Sequence, residues 1–490
     1  MNLLALLSAV ALLSASEVGP QAMPAQIEPV EAPFEMPVFE RPVFPKRTRT
    51  VWMRRRGMST RRIQRTIDRV SRRGGGTVVI PPGVWQTGRI SLKSHVNLYL
   101  SEGTELHFSG EVKDYQPAVF TRDQGVELYT LGACFYANGA EHIALTGHGR
   151  VVGPDTDCEI FQRNSKDDPL VEILSYELPD RIFDGRDGGL IIMPKTFAPI
   201  HCHDVFVEGI TFDRGLYWNL APQYCDHVVI RGCTVNSYGH GTTDGVDIDS
   251  CTDVLVEYCA MDNQDDCFTF KSGRGEDGRR VNRPTERVVI RRCLALRGSG
   301  GIVFGTEIAG GVRDVYLCDC VFNGTNHAVR FKTRRPRGGF VENVLVERVR
   351  ADVLYQALWC EMLGSERWVG ELAHRYPARE VTPLTPWFRH FTIRDMDITG
   401  CETLVEMAGL PEMPLRDVAI ARITGTCGKI GAICDAEGFS MEDVQVRMQD
   451  DVLTLDNVSE SSFTGVRYED TQRPVRIEKV AGLCRNIVIK

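Results

Sequence analysis

One short apolar pattern recurs along most of this chain and limits the folds that it can adopt. In its clear copies a polar pair precedes alternating β-branched residues, as in His203-Asp-Val-Phe-Val-Glu and Asp226-His-Val-Val-Ile-Arg. The anchoring residues, with steps of 23, 26, 34, 27 and 29 residues, are Val205, Val228, Val254, Val288, Val315 and Val344. Val418 and Val444 continue the pattern with a step of 26 residues.

Each copy alternates with a period of two, so each predicts a strand with one face turned inward. No helical pattern of useful length separates the copies, which excludes alternating strands and helices. A propeller blade of four strands needs about 40 residues, more than these steps provide. We therefore predict an all-β protein, a single-stranded right-handed parallel β-helix whose successive strands lie about 4.8 Å apart.

The end of such a solenoid must be covered, and the sequence offers one helix for this purpose. Ser59 is a candidate N-cap, and Ile63, Ile67 and Val70 lie on one helical face. Three glycines follow at 74–76, before the first strand begins at Thr77. We expect this helix to cap the N-terminal end of the core.

The residues before that helix are predicted to fall into two parts. Residues 1–17 contain an apolar run that ends in small residues and resemble a signal peptide. Residues 18–47 are predicted to be an extended linker, because prolines recur through them at 20, 24, 29, 33, 37, 42 and 45. Residues 48–490 then form one catalytic domain. This order predicts a secreted or periplasmic protein, and no membrane span is expected.

Composition narrows the function further. The net charge of −8 argues against nucleic acid as a partner. Sixteen cysteines leave disulfides and a ladder of buried thiols both open, since Cys225 and Cys233 recur 26 residues later as Cys251 and Cys259. The chain has no zinc-binding spacing, phosphate-binding glycine loop or nucleophile elbow, so neither a metal nor a cofactor is expected.

Carboxylates cluster in the middle of the repeat. Asp244 precedes one strand, and the adjacent pair Asp265 and Asp266 precedes the next. Neighbouring carboxylates repel unless a site uses their charge or shares a proton between them. Glycosidic hydrolysis uses such a group, because one carboxyl protonates the leaving oxygen while another activates water. Arg330 and Lys332 alternate on a later strand, so both can face one groove.

Taken in order, these motifs resemble the active-site motifs of the polygalacturonase family, glycoside hydrolase family 28, over roughly residues 58–450. The matching segments are Thr242-Thr243-Asp244, Asp265-Asp266, Gly298-Ser299-Gly300 and Arg330-Phe331-Lys332. The resemblance implies a pectin-lyase-like β-helix that hydrolyses α-galacturonosidic bonds with inversion. It implies that Asp265 is the general acid and that Asp244 and Asp266 activate the water. Arg330 and Lys332 resemble the clamp for a galacturonate carboxylate.

Two positions depart from the family pattern. Thr242 replaces an asparagine, and it keeps the ability to hydrogen-bond. Ser299 replaces a histidine, and serine does not titrate near neutrality, which predicts weaker activity or a different substrate. We count Thr242 and Ser299 among the substrate-binding residues. His240 is added to them as a possible replacement for the missing histidine, and His327 is the other candidate.

An insertion at 271–287 follows the aspartate pair and, with Gly305-Thr-Glu307, resembles the exo-acting branch of the family. A loop there is expected to close the groove into a pocket for a chain end. A second insertion, from Tyr355 to Pro386, interrupts the repeat. The predicted partner is a pectic poly- or oligosaccharide, bound by a monomer.

Three rival functions remain open at this point. A pectate lyase on the same scaffold needs Ca²⁺ and an arginine base. A noncatalytic glycan-binding solenoid would agree with Ser299. A hydrolase of branched pectin, of the rhamnogalacturonan type, would keep Arg330 and Lys332 for a uronic acid.

Overall fold

The computed structural model describes residues 12–52, 57–164 and 174–490. Over these residues the chain forms the predicted right-handed parallel β-helix, in which strands stack on their counterparts in neighbouring coils. Three ladders of parallel strands run along the solenoid. We call them the first ladder, the second ladder and the site ladder, in the order in which each coil visits them.

The first ladder begins with the strands Thr48–Thr50, Gly76–Ile80, Val96–Leu100, Glu141–Gly147, His203–Glu208, Asp226–Arg231, Thr252–Glu257 and Thr285–Arg291. The second ladder begins with Gly83–Thr87, Thr104–Phe108, Arg150–Val152, Thr211–Asp213, Thr234–Ser237, Ala260–Asn263 and Leu294–Arg297. Later strands bend from the first ladder into the second without a break: Val312–Thr325, Phe340–Val353, Trp387–Gly400, Leu415–Thr426 and Ser440–Arg447. Arg467–Tyr468 extends the second ladder.

The site ladder contains Ile90–Ser91, Ala133–Asn138, Lys195–Ile200, Val246–Asp249, Phe268–Lys271, Ile302–Phe304, Val329–Lys332, Gln356–Glu361, Thr403–Ala408 and Lys429–Glu437. Asp450–Thr464, Arg476–Lys479 and Arg485–Ile489 close the C-terminal end. Outside the coils, Val119–Asp123 and Val126–Thr130 form an antiparallel hairpin, and Ile182–Phe183 pairs with its second strand. Among the described residues, the α-helices are Thr60–Ser71, Glu159–Arg163, Gly275–Val281 and Glu366–Val369.

The predicted anchors of the repeat are paired across neighbouring coils. Val205 pairs with Val228, and the pairing continues through the predicted series to Val344. After the second insertion Val344 pairs with Phe391, which in turn pairs with Val418. The pattern therefore predicted the register of the first ladder from Val205 to Val344.

One predicted step is wrong. Val444 pairs with Ile423 of the second ladder and not with Val418 of the first. Both ladders start after a corner at which a residue with positive φ precedes an inward apolar side chain, as at Asp417 (φ 53°) and Arg422 (φ 53°). Because the two corners share this pattern, the sequence Asp443-Val444 fits either one.

The same corner explains why the repeat opens with a polar residue. Asp204, His227 and Asp253 have φ values of 52°, 56° and 58° at equivalent corners of successive coils. Asp, Asn and His enter this left-handed region more readily than β-branched residues do. The polar residue therefore turns the chain, and the following valine points into the core.

The core consists of continuous ladders of inward side chains. Phe270, Phe304 and Phe331 stack across three coils of the site ladder, with ring centroids 4.7 and 4.6 Å apart. All sixteen cysteines are free thiols, and the backbone N–H of Cys225 lies 3.3 Å from Sγ of Cys251 in the next coil. The thiol ladder is thus the arrangement found, and these cysteines fill inward positions as small apolar residues.

The predicted capping helix is present as Thr60–Ser71. Its residues Ile63, Ile67 and Val70 are completely buried against the first coils. Ser59 takes the predicted N-cap position, but its side chain makes no capping hydrogen bond. The apolar stripe docks the helix together with hydrogen bonds to the first coils, such as that from Ser71 Oγ to the Ser94 carbonyl.

The proline-rich segment predicted as a linker is extended, but it packs along the outside of the coils. Phe39 is only 5% exposed, and it packs in an apolar cluster with Phe206, Val229 and Leu255 of the first ladder. The Arg231 guanidinium donates a hydrogen bond to the Pro24 carbonyl at 2.9 Å. The outward face of these coils is apolar, and this segment, which we call the N-terminal arm (residues 18–45), covers it. Its prolines lack the N–H that a strand needs, so it lies flat without extending a ladder.

The predicted signal segment lies mostly within residues 1–11, outside the described residues. In the part of the chain that the structure describes, no helix has the length and apolar character needed to cross a membrane.

Candidate active site

The predicted carboxylates meet at the turns that lead into the site ladder. Asp244 lies just before the strand Val246–Asp249, and Asp265 and Asp266 lie just before Phe268–Lys271. These two strands are paired in register, with Val246 beside Phe268. The Gly245 N–H donates a hydrogen bond to the Asp266 carbonyl at 2.9 Å, which ties the two turns together. The repeat therefore brings residues from successive coils to one place, as predicted.

A cavity of about 470 Å³ lies over these turns. Its lining includes six of the eight predicted site residues, which are Thr242, Asp244, Asp265, Asp266, Arg330 and Lys332. Residues that the sequence did not assign also line it, among them Gln124, Tyr217, Trp218, Lys271, Arg334, Arg337, Glu361 and Trp368. The cavity therefore joins acidic, basic and aromatic side chains, which suits an anionic sugar.

Arg330 and Lys332 are alternate residues of one strand and both face the cavity. The Lys332 Nζ lies 2.6 Å from Oδ2 of Asp266. Arg330 stacks its guanidinium on the Trp359 ring, 4.2 Å from the ring centroid, and donates a hydrogen bond to Ser299 Oγ at 2.9 Å. Both cations are thus fixed in place before a substrate arrives.

The two carboxyls of the aspartate pair have opposite protonation tendencies. Burial, and then the adjacent Asp266, raises the pKa of Asp265. Burial also works against ionisation of Asp266, but Lys332 and Arg330 outweigh it and lower the pKa of Asp266. Separation of pKa values in this way assigns the acid and base roles in many hydrolases. Here it makes Asp265 the better proton donor and Asp266 the better proton acceptor.

Asp244 has charged neighbours that differ from those of Asp265 and Asp266. Burial, followed by repulsion from Asp247 and Asp265, raises its pKa well above the ordinary value. Asp247 lies on the adjoining strand and is completely buried. Lys271, at the end of the paired strand, reaches both carboxyls, with its Nζ 3.8 Å from Asp244 and 3.6 Å from Asp247. Sequence reasoning did not assign Asp247 and Lys271 to the site, although they lie only a few residues after Asp244 and Asp266.

Two predicted residues do not line the cavity. Ser299 lies behind it and holds Arg330, so it supports the clamp. His240 was a candidate replacement for the missing histidine, but its ring packs beside Phe161 with 5.3 Å between centroids. The chain turns at Thr242, where φ is 71°, between His240 and the carboxylate turn. His240 therefore does not line the cavity, and its part in substrate binding stays a prediction.

His327 is the other candidate replacement. It is buried, its Nδ1 lies 3.2 Å from the Gln356 carbonyl, and its ring lies 4.5 Å from the Trp359 ring. Burial, and then the positive charge of Arg330, lowers the pKa of His327 to about 4. The ring is therefore neutral near pH 7 and supports the Arg330–Trp359 stack as an uncharged group.

The cavity wall comes from segments outside the repeat. Gln124 lies at the turn of the antiparallel hairpin, and the next residue, Gly125, accepts a hydrogen bond from the Arg274 N–H at 3.0 Å. Asp277 in the helix Gly275–Val281 accepts hydrogen bonds from Arg181 at 2.8 Å and from the Glu127 N–H at 2.9 Å. The first insertion thus supports the hairpin from behind, and the hairpin forms the wall.

The second insertion contributes the opposite side of the wall. Trp368, in the short helix Glu366–Val369, lines the cavity, and the Arg334 guanidinium lies 5.0 Å from its ring centroid. Ser365 lines the cavity from the same segment. The sequence left the role of this insertion undecided, and the structure places it at the cavity.

Among the residues that the structure describes, no group of three or more His, Cys, Asp or Glu side chains has an arrangement able to hold a metal ion. Lys271 and Lys332 lie among the site carboxylates and supply positive charge there.

This parallel β-helix, with three aspartates, an arginine and a lysine in one cavity, is that of a glycosidase. Residues 191–354, which contain all these motifs, match the family model described as Glycosyl hydrolases family 28. The match confirms the resemblance to that family seen in the sequence.

Similar proteins support this placement. A probable polygalacturonase from Vitis vinifera is 25% identical over 402 residues, which cover 78% of this chain and 75% of the relative. An exo-poly-alpha-D-galacturonosidase from Dickeya chrysanthemi is 20% identical over 385 residues, which cover 72% of this chain and 62% of that protein. Among solved structures, a hyperthermoactive exopolygalacturonase from Thermotoga maritima has a TM-score of 0.72 and 27% identity, and the match covers 84% of this chain and 93% of that one.

Proposed function

We propose that this protein hydrolyses α-galacturonosidic bonds of pectic polysaccharide or oligosaccharide from a chain end, with inversion at the anomeric carbon. The observation that carries the proposal is the cavity in which Asp265 and Asp266 face the clamp formed by Arg330 and Lys332. Two of the similar proteins are described as exo-acting on galacturonan, which agrees with it.

The proposed chemistry uses the opposite protonation tendencies of the aspartate pair. Asp265, protonated because burial and Asp266 raise its pKa, donates its proton to the glycosidic oxygen as the C1–O bond breaks. Asp266 accepts a proton from the attacking water as the new C1–O bond forms. Its Oδ2 is held by Lys332, whereas Oδ1 is buried and has no hydrogen-bond donor within the described residues, so it is the unpaired acceptor of this carboxyl. Inversion needs ~6.5–9.5 Å between acid and base carboxyls, which leaves room for that water.

The clamp supplies the specificity for a uronic acid. A guanidinium meets a carboxylate through two parallel hydrogen bonds, and the stack on Trp359 fixes the plane of the Arg330 fork. Lys332 adds a point charge two residues along the same strand. The carboxylate of the sugar in the cleaved position would therefore bind against both cations.

The wall of the cavity supports the proposed action on a chain end. The hairpin turn at Gln124 and the insertion at Trp368 stand beside the cavity, where a long chain would otherwise continue. The network of Asp277, Arg181 and Glu127 supports the hairpin through several charged hydrogen bonds. A wall that is supported in this way favours binding of a chain end.

The test uses oligogalacturonides of defined length that are labelled at the reducing end. We expect the label to shift through successively shorter oligomers while unlabelled saturated galacturonate or a short saturated oligomer accumulates. Early appearance of labelled internal fragments would contradict the exo mode. An unsaturated product, or loss of activity with EDTA, would support a lyase instead.

Two variants with the same chemical change make this test specific. Asp265→Asn removes the proposed proton donor. Asp262→Asn is the matched control, because Asp262 lies three residues earlier and pairs with Arg297 on the outer surface, 2.6 Å away. Loss of products with Asp265→Asn alone supports the assignment. Equal activity of both variants would refute it.

Should the wild type release nothing from galacturonan, rhamnogalacturonan-type substrates are tested next. The observation that favours this second candidate is Ser299. It stands at the position where the family has a histidine, and it accepts a hydrogen bond from Arg330. Binding without turnover on both substrates would identify a glycan-binding protein.

We also infer that the protein acts outside the cytoplasm as a monomer. The apolar run at residues 3–16 supports export. Mass spectrometry of the N-terminus of the protein recovered from the medium or periplasm, with light scattering of the same sample, tests both statements. Retention in the cytoplasm would contradict the first, and a dimer mass would contradict the second.

A further inference from the structure

A charge cluster lies beside the aspartate pair, and it contains Asp244, the third predicted catalytic carboxyl, together with three residues that have no part in the mechanism above. We define it as Asp244, Asp247, Lys271 and Glu307. The Lys271 side chain is 5% exposed, and its Nζ lies 3.8 Å from Asp244, 3.6 Å from Asp247 and 3.5 Å from Glu307. The Trp218 ring covers it, with its centroid 4.5 Å from Nζ. A cation that is so enclosed is held by these three carboxyls.

Asp247 is the unusual member of this cluster. Its side chain is completely buried, and neither carboxyl oxygen has a hydrogen-bond donor within the described part of the chain. Its carboxyl and that of Asp244 do, however, lie against the same Lys271 Nζ, at 3.6 and 3.8 Å, and interact with each other. Buried polar atoms are nearly always satisfied, and two carboxyls can satisfy each other only through a proton between them. The contact therefore indicates a carboxyl pair that shares a proton.

The charges of the cluster agree with one shared proton. Glu307 lies 3.4 Å from Arg337, so its negative charge has a second partner besides Lys271. If Asp244 and Asp247 hold one proton between them, two negative charges face the two cations Lys271 and Arg337. If both were ionised, one uncompensated negative charge would be buried, which costs several kcal/mol or forces protonation.

We propose that Lys271 and Asp247 are positioning residues that fix the protonation state of Asp244, which reaches the attacking water as one half of a buried carboxyl pair with a single proton. The inference rests on the proposed hydrolysis for its kinetic consequences, but not for the existence of the pair. The shared proton leaves the pair with one negative charge, and Asp244, the member that lines the cavity, presents this charge to the water. Lys271 prevents the pair from taking up a second proton.

Other charged groups face this cluster and belong to the same electrostatic balance. From the turn before Phe268–Lys271 come Asp265 and Asp266, and from neighbouring coils come Lys195, Arg274, Arg330 and Lys332. They are unchanged in the variants described next. Differences between those variants therefore report on the cluster itself.

The energetic effects of the two residues on the pair are opposite. Burial raises the pKa of Asp247 to about 7, and Lys271 opposes this rise. Asp247 in turn raises the pKa of Asp244. Removal of Lys271 should therefore raise the pKa of the pair, whereas removal of the Asp247 charge should lower the pKa of Asp244. The two groups titrate as a unit, so kinetics reports the pair.

The kinetic test is the pH profile of kcat/KM for Asp247→Asn, Lys271→Met and Glu307→Gln. The acidic limb follows ionisation of the water-activating carboxyls. We expect it to move to lower pH in Asp247→Asn and to higher pH in Lys271→Met, each on the order of one pH unit. Glu307→Gln removes one of the three carboxylates that share Lys271. Lys271 then stabilises the ionised pair more strongly, so the acidic limb should move to lower pH. Equal losses at every pH with unmoved limbs, or shifts in one common direction, would overturn the proposal.

A spectroscopic test needs no substrate. Infrared spectra of the folded wild type at neutral pH should contain the carbonyl band of the protonated carboxyl pair, and Asp247→Asn should lose it. An unchanged band would overturn the shared proton even in a protein without activity. Lys271→Met leaves buried carboxylates without their cation and can fail to fold, but Asp247→Asn and Glu307→Gln then still decide the outcome. An inactive wild type with the band present would refute the proposed function and support the carboxyl pair.

Discussion

Two outward faces of the same coils are built in opposite ways. On the first ladder the outward residues are apolar, including Phe206, Val229 and Leu255, and the N-terminal arm covers them. On the site ladder the outward residues of four successive coils are Asp247, Thr269, Val303 and Arg330, and Arg330 lines the cavity. Both faces share one inward core. The comparison teaches that the inward pattern determines the scaffold, whereas the outward residues determine whether a face is covered or reactive.

The largest effect is expected from the acid carboxyl on the open face. Asp265→Asn should lower kcat by about 10²–10⁴-fold, because general acid catalysis contributes about this much. The N-terminal arm should remain docked, since Asp265 makes no contact with it. The measurement is steady-state kinetics together with limited proteolysis of the arm. A variant that retains nearly full kcat would remove Asp265 from the mechanism.

The second-largest effect on activity is expected from the clamp. Lys332→Met removes the cation 2.6 Å from Asp266, so we expect kcat/KM to fall by about 10²-fold. Lys332 lowers the pKa of Asp266, a group that must be ionised, so its loss should also move the acidic limb of the profile to higher pH. An exposed matched control is Lys113→Met, because Lys113 is 77% exposed. An unmoved limb in Lys332→Met would show that Asp266 does not depend on this lysine.

The covered face offers the complementary test. Phe39→Ala should weaken docking of the N-terminal arm by about 3 kcal/mol, the usual cost of removing a buried phenylalanine ring. This corresponds to roughly 100-fold more undocked arm, seen as faster proteolysis of residues 18–45. Val38→Ala is the matched control, because Val38 is 80% exposed. Activity should be unchanged in both. A loss of kcat in Phe39→Ala would show that the two faces are coupled.

The smallest effect is expected at the turn that leads into the site. Thr242 has a φ of 71°, a conformation that is unfavourable for a β-branched residue. Thr242→Asn should therefore stabilise the protein by about 1 kcal/mol, since asparagine adopts this conformation more readily. The change in melting temperature is measured by thermal unfolding. Thr269→Asn is not a suitable control, because Thr269 is buried. A lower melting temperature in Thr242→Asn would contradict the strain.

Much of the scaffold could be predicted because it depends on local patterns. The valine anchors gave the register from Val205 to Val344, since each anchor fills the same inward position in its own coil. The exception, Val444, arose because both corners of a coil use a polar residue with positive φ before an apolar one. The N-terminal arm was predicted to be a linker because its partner surface consists of outward residues, and their burial depends on a distant segment.

The site was predictable where its residues come from successive coils, as with Asp244 and Asp266. It was not predictable where the residues come from insertions, because nothing local indicates that Gln124 and Trp368 reach the same cavity. Asp247 and Lys271 lie a few residues after the predicted carboxylates, but from the sequence alone they are indistinguishable from ordinary strand residues. Their importance depends on burial and on the absence of a donor for Asp247 within the described residues, which are properties of the fold.

The central claim is that Asp265 and Asp266 perform a single displacement on a galacturonide held by Arg330 and Lys332. The most direct measurement is proton NMR of the first product released from an oligogalacturonide, recorded before the anomers equilibrate. We predict a saturated galacturonate end that appears first as the β anomer, because the substrate linkage is α and the reaction inverts. Initial formation of the α anomer, or of an unsaturated end, would contradict the claim.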